Sequence, residues 1–258
     1  MHELKLIAVG SSPLIAEEIR AEIASLIGTE LPIDMTTTEK VQCVEPNEFY
    51  VCALTQAVVL EKIVPREQLF VLDLHPTTKF FLDIAAIPIG ETVCIFNNRL
   101  PYTQLLIDEC RQLGIDQLQF EPVAYDEMPE REIGERLQAA QYIIGVACLM
   151  DERMLFSERF KHSLRADVKT IAGRRTASIK SAGRLLAGIA EFYSDRSSEN
   201  VAHIVQLLRQ ASNNAIVNRI GLSSMPVDES VCGSNDAESQ RQVLLYLHEK
   251  FRKLAELN

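Results

Sequence analysis

Five short polar clusters in this 258-residue sequence follow directly on β-rich runs, and their side chains could bind or react. They are Ser11-Ser12, Thr55-Gln56, His75 with Thr77 and Thr78, Asn97-Asn98-Arg99, and Arg174-Arg175-Thr176 with Ser178. Hydroxyls in front of a helix, as at Ser11-Ser12-Pro13, can hold an anion together with the free N–H groups of the helix start. Capping the helix is an equally simple use for them. The guanidinium pair Arg174-Arg175 suits bidentate recognition of a carboxylate or phosphate, although surface ion pairing needs fewer assumptions. For His75, a hydrogen-bonded structural role is the plainer reading and a general base the more ambitious one.

Catalytic and cofactor templates are missing. The first loop, Val9-Gly10-Ser11-Ser12-Pro13, is not G-x-G-x-x-G, and the chain contains neither a phosphate-binding G-x-x-x-x-G-K-[ST] nor G-x-S-x-G nor H-E-x-x-H. Six cysteines, Cys43, Cys52, Cys94, Cys110, Cys148 and Cys232, form no C-x-x-C pair and read as small buried hydrophobes rather than zinc ligands or disulfides. A two-cysteine racemase would need two thiols at strand ends. Cys148 is so placed, whereas Cys94 lies inside a strand. The expectation is a protein that is not an enzyme and uses no metal or cofactor.

Short β-rich runs alternating with helical periods must position these clusters. Leu4–Val9 reads as a strand and Pro13–Ile27 as a helix with Ile15, Ile19, Ile23 and Leu26 on one face. Strands near 32–35, 49–54 and 68–72 follow, with helices near 56–63 and through Phe81 and Ile84. The pattern restarts after Ile89-Gly90, with strands at 92–96, near 117–120, at 142–148 and 168–171, and helices at 101–113, 130–139 and 178–193. Such alternation predicts an α/β chain with parallel sheets and crossover helices. The domains read as one Rossmann-like lobe over 1–88, a second over 89–193 whose final helix can pack back on the first, and a helical tail over 194–258. In the tail, Leu244, Leu247, Phe251 and Leu254 form a stripe too short for a free coiled coil, suited to packing on the protein's own body or to a homodimer.

A net charge of −10 disfavours direct nucleic-acid binding and anionic membranes. The N-terminus reads as a strand rather than a signal peptide, and no apolar run approaches the roughly 20 residues of a membrane span, so a soluble, cytoplasmic protein is expected.

Gly90-Glu91-Thr92-Val93-Cys94-Ile95-Phe96-Asn97-Asn98, then Leu113-Gly114-Ile115 and the helix over 174–193, together with Leu6–Ser12 before the first helix, resemble a known family. It is the N-terminal sensory region of sigma-54-dependent transcriptional activators of the propionate-regulator (PrpR) type, over residues 1 to 193. The resemblance implies two Rossmann-like lobes of periplasmic-binding-protein type and a small effector bound between them, with Ser11-Ser12, His75 to Thr78 and Asn97-Asn98 lining the cleft. The sequence departs from the family in lacking its ATPase domain. A weak helix-turn-helix echo at 207–222 carries only Arg209 and Arg219 as cations, too few to anchor on phosphates. The function this implies is ligand sensing: a small anionic metabolite acts as effector, and a partner protein is one source of the missing output domains. An enzyme for a small phosphorylated or carboxylated substrate and a non-catalytic dimeric scaffold are the alternatives.

Overall fold

A computed structural model describes residues 4–28 and 31–194, with Leu208, Gln210, Leu245, 247–249, Phe251 and Arg252 of the tail. The opening strand β1 (Lys5–Gly10) buries every residue from Leu6 to Gly10, which requires cover on both faces, as for an internal parallel strand. Helix α1 (Pro13–Ile27) provides part of that cover by burying Ile15, Ile19, Ile23 and Leu26. It is followed by β2 (Ile33–Thr37), β3 (Glu48–Ala53), α2 (Leu54–Leu60) and β4 (Leu69–Leu72), and the four strands make one parallel sheet in the order β2-β1-β3-β4.

The chain continues through β5 (Leu74–Pro76) and α3 (Thr78–Ala85) into β6 (Thr92–Asn97), α4 (Leu100–Gln112), β7 (Gln119–Ala124), α5 (Glu130–Ala139), β8 (Tyr142–Val146) and β9 (Lys169–Gly173). These last four strands form a second parallel sheet, ordered β7-β6-β8-β9. The two sheets repeat one winding: the first strand is flanked by the second on one side and the third on the other. The protein is thus α/β with two Rossmann-like parallel sheets. The closing elements are β10 (Arg175–Ala177), paired with β5 in a separate two-stranded sheet, and α6 (Ile179–Ser194).

The chain divides into two compact units, Met1–Leu74 with Ala177–Asn258, and His75–Thr176. Both divisions fall inside the short strands β5 and β10. The sequence reading put the first boundary at 88–89, where the strand pattern restarts; in the structure α3 instead packs on β9 and belongs to the second unit. Helix α6 belongs to the first unit and packs on β4. Within that unit, the Glu22 carboxylate of α1 is only 4 % exposed and accepts the backbone N–H of Ala177 at 2.8 Å, while the Ser178 N–H donates to the Asp73 carbonyl at 2.7 Å.

Cys52, Cys94 and Cys110 are buried, as expected of small hydrophobes, and desolvation pushes each thiol up to about 12. Cys43 is exposed and Cys148 half-buried, and Cys232 lies outside the described residues. Of the tail stripe, Leu247 and Phe251 are helical and buried, as is Leu208, whereas Leu244 and Leu254 lie outside the described residues. So does the helix-turn-helix echo, apart from Leu208 and Gln210. No described helix is long and apolar enough to cross a membrane.

Candidate functional site at the strand carboxyl ends

When a parallel sheet winds outward from its first strand in both directions, the loops leaving its first and third strands diverge and open a crevice at the strand carboxyl ends, where α/β proteins bind ligands. Each unit has such a point. In the first it lies between Gly10–Ser12 and Ala53–Gln56, and in the second between Asn97–Arg99 and Ala147–Leu149.

In the first unit the strand ends are tied together. The Thr38 hydroxyl, just beyond β2, lies 2.8 Å from Gln56 Oε1 and 3.2 Å from the Gly10 carbonyl, so the ends of β1, β2 and β3 share one polar contact. Gln56 is buried and donates through Nε2 to Thr55 Oγ1 at 3.4 Å. Ser12 Oγ caps α1, accepting from the Ile15 N–H at 3.4 Å. The capping contact, one of the two uses open for Ser12, is made in the structure. Ser11 beside it is half-exposed. Thr55 and Gln56 occupy the first turn of α2, which starts at Leu54.

In the second unit Asn97 and Asn98 are 2 % and 3 % exposed. Asn97 Oδ1 accepts from the N–H groups of Asn98 (2.8 Å) and Arg99 (3.4 Å), while its carbonyl accepts from Tyr125 N–H at 3.0 Å. Asn98 reaches Asp126 through both backbone (3.2 Å) and side chain (3.4 Å). These two asparagines shape and join the loops after β6 and β7. The start of α4 already holds a carboxylate: Glu127 Oε2 accepts the Leu100 N–H at 2.8 Å, and Glu127 Oε1 sits 3.8 Å from Arg99 Nη1.

Tyr125, the first residue after β7, has its ring stacked on Phe96 with centroids 5.1 Å apart, and Phe160 closes on both rings. It is 3 % exposed, yet its hydroxyl is buried with no hydrogen-bond partner among the described residues. Burial first, and then the charges of Asp126 and of a nearby Cys148, push the phenol well above its ordinary range. It therefore remains an O–H donor at neutral pH. Arg159 donates to the Tyr125 carbonyl at 3.1 Å, lies over the Phe160 ring at 4.6 Å and pairs with Glu130 at 2.7 Å. The ring that carries this donor has the Arg159 guanidinium carbon 5.7 Å from its centroid. Such a donor gains most from an acceptor brought in by a ligand.

The remaining clusters lie at β5, β10 and the starts of α3 and α6. His75 lies in β5, with Nδ1 2.9 Å from Glu109 Oε1 of α4. Thr77 and Thr78 begin α3, and the Thr77 N–H donates to the Arg174 carbonyl. The Arg174-Arg175 pair is split: Arg174 is exposed, while Arg175, 6 % exposed, stacks over Tyr102 at 4.6 Å from its ring centroid. Thr176 continues β10, and Ser178 Oγ accepts the Ser181 N–H at 3.2 Å as the cap of α6. Sequence reading missed Thr38, Tyr125, Glu127 and Arg159. The signal for Tyr125 was present: β7 runs through Pro122 to Ala124, which makes Tyr125 a strand-end residue.

No group of three or more His, Cys, Asp or Glu side chains among the described residues is placed to hold a metal ion. No protein-family model, curated protein or solved structure matches this chain.

Proposed function

We propose that this protein is a ligand-sensing regulator, in which a small anionic metabolite binds at the strand carboxyl ends and biases an output concerned with transcription. The observation that carries the binding half is the Tyr125 hydroxyl, buried in the second unit with no hydrogen-bond partner among the described residues, on a ring whose centroid lies 5.7 Å from the Arg159 guanidinium carbon. Leaving such a donor unsatisfied costs about 1–3 kcal/mol, and an incoming carboxylate or phosphate oxygen recovers it. The regulatory half rests on the resemblance to propionate-regulator sensory regions and on the missing catalytic motifs. Output then passes through a partner protein or the tail, and a homodimer is compatible with either.

The test is a thermal-stability titration against a panel of carboxylates, amino acids and sugar phosphates. A ligand at 100 times its Kd adds about 2.7 kcal/mol of stability. No shift across the panel overturns the reading. A second reading, an enzyme for a small phosphorylated or carboxylated substrate, draws on Cys148 near Tyr125. Turnover of a stabilising ligand, abolished by Cys148→Ala, would select it.

A further inference from the structure

The amino end of the first sheet, opposite the strand carboxyl ends, carries a groove of about 670 Å³. That is the size of a small-molecule pocket. Its floor is aromatic: Phe49, the second residue of β3, packs on Phe70 of β4 with centroids 4.7 Å apart and on Phe192 of α6 at 5.6 Å. Gly188 lets α6 come down on this floor, since a Cβ there would stand 2.3 Å from Phe70 Cζ. A neighbouring hollow of about 760 Å³ runs along β4, past Leu69 and Val71. Arg66, Phe70 and Arg184 line both.

Among the described residues, no carboxylate pairs with either arginine. Acidic residues outnumber basic ones 36 to 26 in this chain, and other arginines take advantage of it: Arg131 holds Glu135 at 2.7 Å, Arg136 holds Glu132 at 2.6 Å and Arg165 holds Asp167 at 2.9 Å. The guanidinium groups of Arg66 and Arg184 have no hydrogen-bond or ion-pair partner among the described residues, although Glu67 and Glu191 line the same groove. Neither of those carboxylates lines the second hollow, so the Phe70 rim shared by both is where the positive charge is least opposed by the groove's own acids. Glu61, which lines only the second hollow, sets the limit on its far side.

We propose that this rim is a binding site for a small aromatic anion, with the anionic group held by Arg66 and Arg184 and the ring laid on Phe49, Phe70 and Phe192. Guanidinium groups suit both parts of such a ligand, because they hydrogen-bond planar oxyanions and stack on aromatic faces. The site is distinct from the strand carboxyl ends and does not depend on the function proposed for them.

Phenyl phosphate is the probe, titrated into the 258-residue chain by calorimetry and by saturation-transfer NMR, with inorganic phosphate and phenol as its two halves. The expected result is saturation transfer to the ring protons and at least tenfold tighter binding than either half. The double variant Arg66→Gln/Arg184→Gln should weaken binding roughly tenfold to a hundredfold, the range for losing charge-assisted hydrogen bonds. Both side chains are exposed, so the ligand-free thermal transition should stay in place. Tyr125→Phe should leave phenyl phosphate binding unchanged, which separates this site from the one at the strand ends. Equal affinity for inorganic phosphate or phenol, no binding at millimolar concentration, or binding that survives loss of both arginines overturns the proposal.

Discussion

Replacing Tyr125 with phenylalanine separates a structural hydroxyl from one kept for a ligand, because the two cases predict opposite signs. The substitution keeps the ring stacked 5.1 Å from Phe96 and against Phe160, and removes only an oxygen that is buried without a partner among the described residues. A buried, unsatisfied hydroxyl costs about 1–3 kcal/mol relative to the solvated unfolded chain. Deleting it should therefore stabilise the ligand-free protein by about 1 kcal/mol, which raises the thermal transition of a chain this size by roughly 2–4 °C. The same variant should lose about tenfold in affinity for any effector that binds at the strand ends, since one buried hydrogen bond disappears from the complex. Calorimetric melting of both proteins, with and without the best ligand from the stability panel, reads both effects. A Tyr125→Phe protein less stable than the parent by 1 kcal/mol or more would refute the reasoning, because the hydroxyl would then be serving the fold.

Four further outcomes are expected. Gly10→Ala should destabilise the first unit by about 1–3 kcal/mol in urea unfolding, because the new Cβ would lie 2.2 Å from the Ala16 nitrogen and 2.7 Å from the Ser12 carbonyl oxygen, both backbone atoms that cannot swing aside. Glu22→Ala should cost about 1–3 kcal/mol by leaving the Ala177 N–H without its acceptor, whereas Glu22→Gln, which keeps an acceptor oxygen, should recover most of the loss. Alkali should weaken the fold ahead of any tyrosine effect. Cys52, Cys94 and Cys110 are raised from 9.0 to about 12, so between those limits the unfolded chain gives up protons that the native state keeps. Stability is then fully present below pH 9 and falls as pH rises, by about 1 kcal/mol per thiol at pH 10, measured as the urea midpoint at pH 8 and pH 10. The same burial makes exposed Cys43 the faster target of iodoacetamide in the native protein.

The architecture was legible because internal parallel strands announce themselves: Leu6–Val9, Val93–Phe96 and Tyr142–Val146 are near-continuous apolar runs, and the first two are each followed by a helical period. The division between units was harder, because β5 and β10 are three residues each and carry no periodicity of their own. The restart at Thr92 marks the second sheet's first strand, while the chain has already entered that unit at His75. At the candidate site, Asn97 and Asn98 were found because polar residues after an apolar strand stand out, and in the structure their hydrogen bonds join the loops after β6 and β7. Thr38 was hidden in a polar stretch with no pattern. Tyr125 looked like one more aromatic after an ambiguous strand, and nothing local reveals that its hydroxyl lacks a partner. That property depends on Phe96, Phe160 and Cys148, which are distant in sequence.

Because residues 75–176 are a single continuous stretch and the first unit is made of two stretches around them, synthesis delivers the pieces in a fixed order. The four strands of the first sheet emerge before the second unit begins, but α6, which covers Phe49 and Phe70, arrives only after that unit is complete. A nascent chain paused near residue 176 would hold a finished insert and a host with one apolar face still open, the state in which a chaperone or an aggregating neighbour has its best opportunity.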